Sequence, residues 1–288
     1  MTVRYKLGCQ LCYEVRSPTV FIFNLEVAKL LRHHDVVESL TISPDVSRRI
    51  YEVPDIRNRY FSIEASPGPL EVRYAAEVTL EVFRADPGTI GEVPLAQVPL
   101  DIMPFLLPSR FVPSDRLSAF AQREFGKVEP GHQRVTAICN WLYENIDYQR
   151  GSSTPQTTAD ESLILRAGVC RDFAHLGISF CRALNIPARF VSCYAYGLEP
   201  RDFHAVFEAY LGGRWWLFDG TRQANLDGLV RIGVGRDAAE IAFASQFGDI
   251  DEGPIKITID HADGSVEALG RTVDAISTEE PAPNAGAN

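Results

Sequence analysis

Residues 166–187 read Arg166-Ala-Gly-Val-Cys170-Arg-Asp-Phe-Ala-His175-Leu-Gly-Ile-Ser-Phe180-Cys-Arg-Ala-Leu-Asn185-Ile-Pro187. Phe173, Ala174, Leu176, Gly177, Phe180, Cys181 and Leu184 fill more than one face of a 3.6-residue period, so Arg171 to Leu184 predicts a largely buried helix. Asn185-Ile-Pro187 ends it, and the β-branched and aromatic run from Ala188 to Tyr196 predicts a strand. Cys170 therefore stands at the entry of a buried helix. A thiol there meets the positive end of the helix macrodipole, which favours the thiolate. Gly168 permits a sharp turn and leaves room for a substrate beside the sulfur. Asp172, in the first turn, stabilises the helix N-terminus or lines the cleft.

A cysteine alone is more often a packed core residue than a nucleophile, so the second half of the pattern matters. His204 to Leu211 and Arg214 to Asp219 read as two strands flanking Gly212-Gly213, a hairpin signal. With a two-residue loop Leu211 faces Arg214, which sets Thr221 opposite His204 and Val206 opposite Asp219. His204 and Asp219 then share a face as diagonal neighbours within side-chain reach. A three-residue loop would place them on opposite faces. In the expected arrangement Asp219 accepts the Nδ1 hydrogen of His204 and leaves Nε2 to take the proton of the Cys170 thiol. Cys170 is thus the candidate nucleophile, His204 the base and Asp219 the group that orients it.

Four stretches together carry a resemblance. They are Ala167-Gly-Val-Cys170-Arg-Asp-Phe-Ala-His175, Leu184-Asn-Ile-Pro-Ala-Arg-Phe-Val191, Asp202-Phe-His204-Ala-Val-Phe-Glu208 and Trp215-Trp-Leu-Phe-Asp219-Gly-Thr221. In this order they resemble the bacterial transglutaminase-like cysteine peptidases, over roughly Gln133 to Thr221. The resemblance implies a papain-like α+β core in which the cysteine opens a central helix and the histidine and aspartate lie on adjacent strands. Many bacterial members carry a preceding β domain. Two positions depart from the family pattern: Gly220 stands where proline often follows the aspartate, and Val206 where tryptophan often follows His-Ala. The first change is expected to loosen the strand end, the second to alter a wall of the site.

Upstream, the first hundred residues are rich in short β-type runs, among them Leu11 to Val15, Ser39 to Ile42, Tyr60 to Ala65, Leu70 to Val72 and Ala76 to Phe83. Ser43-Pro44, Ser66-Pro67-Gly68-Pro69 and Asp86-Pro87-Gly88 punctuate them, which predicts an antiparallel β domain, a sandwich. Pro94, Pro99, Pro104, Pro108 and Pro113 forbid a long regular element and mark a linker. Beyond it Val135, Ile138, Leu142 and Ile146 give a helix over Gln133 to Ile146, and Thr158-Ala-Asp-Glu161 reads as a capping box. A last hairpin is expected around Asp263-Gly264, and a disordered tail in the Pro- and Ala-rich end. The fold class expected is α+β, with an N-terminal antiparallel β domain at 1–105, a papain-like/transglutaminase-core α+β catalytic domain at 106–278 and a tail at 279–288.

The chain has 288 residues and a net charge of −10, which argues against a nucleic-acid partner because phosphate binding needs a basic face. No apolar run reaches the roughly 18 residues of a membrane span, and the start does not read as a signal peptide, so no membrane partner and a cytoplasmic location are expected. Six cysteines are too sparse for a disulfide scaffold. Cys9-Gln-Leu-Cys12 has metal-like spacing without a second ligand pair, so no metal and no cofactor are expected. His33-His34 reads as a solvated helix or turn. His175, about 140° around the helix from Cys170, reads as structural, and Cys181, about three turns deeper, as core packing. The Cys170 backbone N–H is the natural first donor to an oxyanion, with Trp141 and Tyr148 as candidates for the second. The expected activity is cysteine-dependent acyl transfer on the carboxamide of a peptide or protein substrate, as a peptidase or amidase. The alternatives are transglutamination of an amine and a non-catalytic scaffold on a retained fold.

Overall fold

Alternation of buried and exposed side chains builds the first part of the molecule. A computed structural model describes residues 2–265 and 272–279. Its first six strands are β1 (Thr2–Val15), β2 (Thr19–Phe23), β3 (His33–Ser43), β4 (Arg48–Glu52), β5 (Arg59–Ala65) and β6 (Gly68–Glu81). In β1 the residues Tyr5, Leu7, Cys9, Leu11, Tyr13 and Val15 are buried, and in β6 Leu70, Val72, Tyr74, Ala76, Val78 and Leu80. Both therefore present one apolar face at a two-residue period. They pair antiparallel along their whole lengths, with Tyr5 opposite Val78 and Leu11 opposite Val72.

A short strand β7 (Phe83–Ala85) leads into the proline-rich segment, which forms only isolated 3-10 turns. That segment is not a free tether, because Val98 and Ile102 pack on Tyr210 and Trp215. The Arg182 guanidinium also donates to Leu107 O at 2.8 Å and to Ser109 Oγ at 3.1 Å. Then follow α1 (Ser118–Phe125), α2 (His132–Asn145), β8 (Asp147–Tyr148), α3 (Ala159–Leu165), β9 (Ala167–Gly168) and α4 (Cys170–Ala183). Thr158 caps α3 reciprocally, its backbone N–H donating to Glu161 Oε2 at 2.8 Å. The central sheet is β10 (Ala188–Ala195), β11 (Phe203–Leu211), β12 (Arg214–Phe218) and β13 (Leu229–Gly235), in the order β12-β11-β10-β13. The remaining strands are β14 (Ala244–Phe247), β15 (Ile250–His261) and β16 (Ala275–Ser277).

The sandwich consists of the sheets β15-β1-β6-β3 and β14-β2-β5-β4. Two of its strands thus come from beyond residue 243, inside the span expected to belong to the second domain. Tyr5 opposes His261 and Cys9 opposes Ile257 in the β1–β15 ladder. Ile257 and Ile259 enter the same core as Leu7 and Leu11, which is what draws the chain back. Glu279, expected at the start of the tail, is anchored in a buried ion cluster described below; residues 280–288 lie outside the described residues. The Asp263-Gly264 turn is present, with the Gly264 N–H donating to His261 O at 3.0 Å, while the returning strand expected after it falls on residues outside those described. His33-His34 opens β3 rather than a solvated turn: His33 is buried and its Nδ1 bonds Ala28 O at 2.8 Å.

The central sheet is covered on both faces. Val191, Cys193, Val206 and Leu217 join the core of the sandwich, whereas Phe190, Phe207 and Phe218 join Phe173, Leu176 and Phe180 under the helices. This explains why all eight residues of β10 are buried. Hydrogen bonds lock the two halves together, Tyr194 Oη to Leu25 O at 2.8 Å and Asn58 Nδ2 to Val234 O at 2.6 Å. Across β10, β11 and β13 lies a charged cluster. Arg189 is the cross-strand partner of Glu208 and donates to its Oε2 at 2.7 Å. Arg231 bonds Glu208 and Glu279, and Arg189 also meets Glu279 at 2.6 Å. Among the described residues no helix is long and apolar enough to cross a membrane.

Candidate active site

The first residue of α4 is Cys170, whose side chain is partly exposed. Asp172 fixes the helix start: its Oδ2 accepts from the Val169 backbone N–H at 2.9 Å and from Ser153 Oγ at 2.5 Å, and its Oδ1 accepts from Arg171 at 2.9 Å. Asp172 is 1% exposed, so it braces the helix from within rather than lining the cleft. A Cβ on Gly168 would lie 2.6 Å from the Asp172 Cβ. The glycine is therefore required by the aspartate that ties down the helix.

The hairpin has the expected two-residue loop. Leu211 pairs with Arg214 and Phe207 with Phe218, and both Gly212 (φ 57°) and Gly213 (φ 80°) take the left-handed conformation that a tight primed turn needs. That register brings His204 and Asp219 together, with His204 Nε2 donating to Asp219 Oδ2 at 3.0 Å. The ring is turned the opposite way from expectation, since Nε2 and not Nδ1 serves the carboxylate. Strand parity fixes the face of a residue but not the rotation of its imidazole about χ2. Nδ1 is buried and, among the described residues, without a hydrogen-bond partner, and the Cys170 side chain lies within range to act on the ring. Burial opposes a charge on His204, yet Asp219 and Cys170 outweigh it and raise its pKa to about 10.

Asp219 is itself oriented. Its Oδ1 accepts from the Thr221 N–H at 2.8 Å and from Thr221 Oγ1 at 2.7 Å. Burial works against its carboxylate, but His204 and Thr221 hold it below the usual range. Thr221 was part of the sequence pattern without a role; the Asp-x-Thr spacing is the signal, because an aspartate accepts readily from groups two residues on. Gly220 between them is closely packed, for a Cβ there would meet Leu142 Cδ1 at 2.9 Å. Val206 is buried in the core shared with the sandwich, on the same face of β11 as His204.

Of the two candidates for a second donor, only Tyr148 stands at the cysteine. Its hydroxyl lies against both the backbone N–H and the thiol of Cys170. The parallel pairing of Tyr148 with Gly168, and the Gln149 N–H donating to Gly168 O at 2.9 Å, put it there. Trp141 instead packs among Phe120, Phe125 and Phe180 under the Arg166 guanidinium. His175 is buried between Phe111 and Phe190, accepts the Ala238 N–H at 3.2 Å, and has its pKa lowered by burial to about 3. Cys9 and Cys12 point to opposite faces of β1, and among the described residues no group of three or more His, Cys, Asp or Glu is placed to hold a metal ion.

A family model for the transglutaminase-like superfamily matches residues 118–220, and one for the bacterial transglutaminase N-terminal domain matches residues 3–101. The crystal structure of a candidate cysteine protease from Cytophaga hutchinsonii is 38% identical, with a TM-score of 0.92 over 97% of this chain and 98% of that one. The chain belongs to the transglutaminase-like superfamily. The chain is also similar to an uncharacterised protein of Mycobacterium leprae, 30% identical over 48% of this chain and 52% of that protein. An uncharacterised protein of Mycobacterium tuberculosis is 29% identical over 44% of this chain and 46% of its own. The chain spans about half the length of the curated relatives it matches. Superfamily membership and the likeness to the Cytophaga protein support cysteine-based catalysis in general.

Proposed function

We propose that the protein is a cysteine peptidase or amidase acting through Cys170, His204 and Asp219. The observation that carries this reading is the buried His204–Asp219 bond at the register of the hairpin, with the open Nδ1 beside a partly exposed thiol at a helix N-terminus. Surroundings that favour imidazolium let His204 hold the proton that the Cys170 thiol gives up on attack.

In this mechanism the Cys170 sulfur attacks the carboxamide carbon, forming the C–S bond and moving the carbonyl π pair onto oxygen. The Cys170 N–H, which faces the Tyr148 oxygen in the resting site, and the Tyr148 hydroxyl turn to receive that oxyanion. Collapse breaks the C–N bond while His204 gives its proton to the departing amine, leaving a thioester. His204 then takes a proton from water, whose oxygen attacks the thioester carbon, and the C–S bond breaks to regenerate the thiolate. Throughout, Asp219 holds the tautomer and orientation of the ring, and Thr221 holds Asp219.

Water is preferred over an amine as the second nucleophile because the site is open to solvent. Tyr148 is 36% exposed and Cys170 partly so, whereas transfer to an amine calls for exclusion of water. The test incubates the protein with a library of carboxamide peptides, with and without a primary amine, and follows products by mass spectrometry. Free acid products and an acyl adduct on Cys170 are expected. Efficient amine incorporation at low millimolar amine would replace hydrolysis by transglutamination, and absence of both turnover and adduct would favour a scaffold.

A further inference from the structure

Two charged side chains flank the Cys170–His204 pair, and the mechanism uses neither. Arg150 lies two residues beyond Tyr148, and Asp202 two residues before His204. Their side chains meet at 3.6 Å between Nη2 and Oδ2, from the two segments that bear the oxyanion donor and the base. The contact is longer than a direct hydrogen bond, and both side chains are about half exposed. Asp202 is divided between two tasks, because its Oδ1 already accepts the Phe203 N–H at 2.8 Å. Such a pair is weak and exchangeable.

The other arginines near the nucleophile are committed. Arg171 is held by Asp172 Oδ1 at 2.9 Å and Thr154 O at 2.7 Å, and Arg166 lies over the Trp141 ring. Among the described residues Arg150, alone of these three, is held only by a half-exposed ion pair, and its charge reaches the Tyr148 hydroxyl. In a chain of net charge −10, a displaceable guanidinium at the catalytic mouth is a local reversal of sign.

We propose that Arg150 is a specificity-determining residue that receives a carboxylate on the acyl donor, exchanging Asp202 for the substrate. This rests on the acyl-transfer reading above. Arg150 stands in the turn that directly follows Tyr148, where the attacked carbonyl oxygen is held, so its Cα lies at most roughly 7 Å from that of Tyr148. That distance suits a carboxylate carried by the residue next to the attacked amide, paired with the planar fork of arginine.

The test compares iodoacetate with iodoacetamide at Cys170, reagents of the same size and chemistry that differ in charge, followed by peptide mapping at low ionic strength. In the native protein the anionic reagent is favoured at Cys170. Arg150→Gln lowers the iodoacetate-to-iodoacetamide ratio about two- to fivefold, as expected of one solvent-screened charge, and Arg150→Glu lowers it further. Asp202→Asn raises it by freeing the guanidinium. An unchanged ratio in both Arg150 variants, with Cys170 still modified by iodoacetamide, overturns the role of Arg150 and leaves the nucleophile standing. Failure of iodoacetamide to single out Cys170 in the native protein overturns both readings.

Discussion

His204 and Glu208 stand four residues apart on β11, on one face of one strand, and both are buried. Around Glu208 the charges close on themselves. Arg189 and Arg231 take its two oxygens, Glu279 faces both guanidiniums, and the Trp215 ring lies under Arg189 at 4.1 Å. Around His204 the set stays open. Asp219 takes one ring nitrogen, and the other has no hydrogen-bond partner among the described residues and lies beside a thiol that solvent can reach. Two acids and two bases in mutual contact hold strands and the C-terminal segment in place. An acid and a base with one valence unfilled can move a proton. On the proposed mechanism the same strand carries structure at one end and chemistry at the other, and the difference lies in what is left unpaired.

The largest effect separating the two ends is expected from Asp219→Asn. The fold should survive, because the amide fits the same space, while peptide turnover falls on the order of 10³- to 10⁴-fold. Imidazole NMR should show why. His204, protonated up to about pH 10 in the native protein, should titrate below its ordinary range once burial acts without the carboxylate. A His204 titration unmoved by the substitution would break the comparison.

Glu208→Gln should do the reverse, unfolding more than it inactivates. It leaves two buried guanidiniums to share the single carboxylate of Glu279, a loss of about 3–5 kcal/mol that lowers the melting temperature by roughly 10 °C. A melting temperature within about a degree of native would mean that the cluster is ornamental.

The two ends should also fail at opposite extremes of pH. Glu279 is opposed by burial but held by Arg189 and Arg231, which bring its pKa down to about 2. A depressed carboxylate contributes stability that is full above its unfolded pKa and lost as pH falls through the folded one, here between about 4.5 and 2. His204 has a raised pKa, so its contribution is full below about 6.5 and lost as pH rises through about 10. Burial lowers the pKa of His33, His132 and His175, so all three must charge on acid unfolding and contribute equally to native protein and variant. Glu279→Gln should therefore make the acid limb of stability against pH shallower by one proton and leave the alkaline limb in place. Identical acid limbs would remove Glu279 from the cluster's account.

The smallest effect is assigned to Tyr148→Phe. Loss of one half-exposed donor beside the Cys170 N–H should slow acylation on the order of tenfold to a hundredfold without shifting the melting temperature. An unaltered rate would transfer the oxyanion to the backbone alone.

Much of the site was legible because it is local. Gly212-Gly213 sets a two-residue loop, the loop sets the register, and the register brings His204 to Asp219. The apolar density of Phe173 to Leu184 marks a buried helix with Cys170 at its start. The ring nitrogen facing the aspartate was not legible, because it depends on side-chain rotation rather than strand parity. Nor was the return of β15 to β1, which joins residues some 250 positions apart and is decided by a shared core. The ion cluster left a signal that was overlooked: Arg189 and Glu208 are opposite charges in otherwise apolar strands, directly across from each other in the β10–β11 ladder. Charges that the sequence places inside a buried sheet need partners, and the ladder names them.

The most direct test of the account is the labelling order of the six cysteines in native protein under limiting iodoacetamide at neutral pH. Cys139, Cys181 and Cys193 are buried with pKa values pushed up, and burial raises Cys9 to about 11, so all four should react slowly. Cys12 is the telling control, partly exposed like Cys170 but on β1, away from the histidine. The account predicts modification of Cys170 ahead of Cys12 by roughly tenfold or more, with the advantage lost in His204→Ala. Labelling of Cys12 at the same rate as Cys170, or an order unaffected by removing His204, would contradict it.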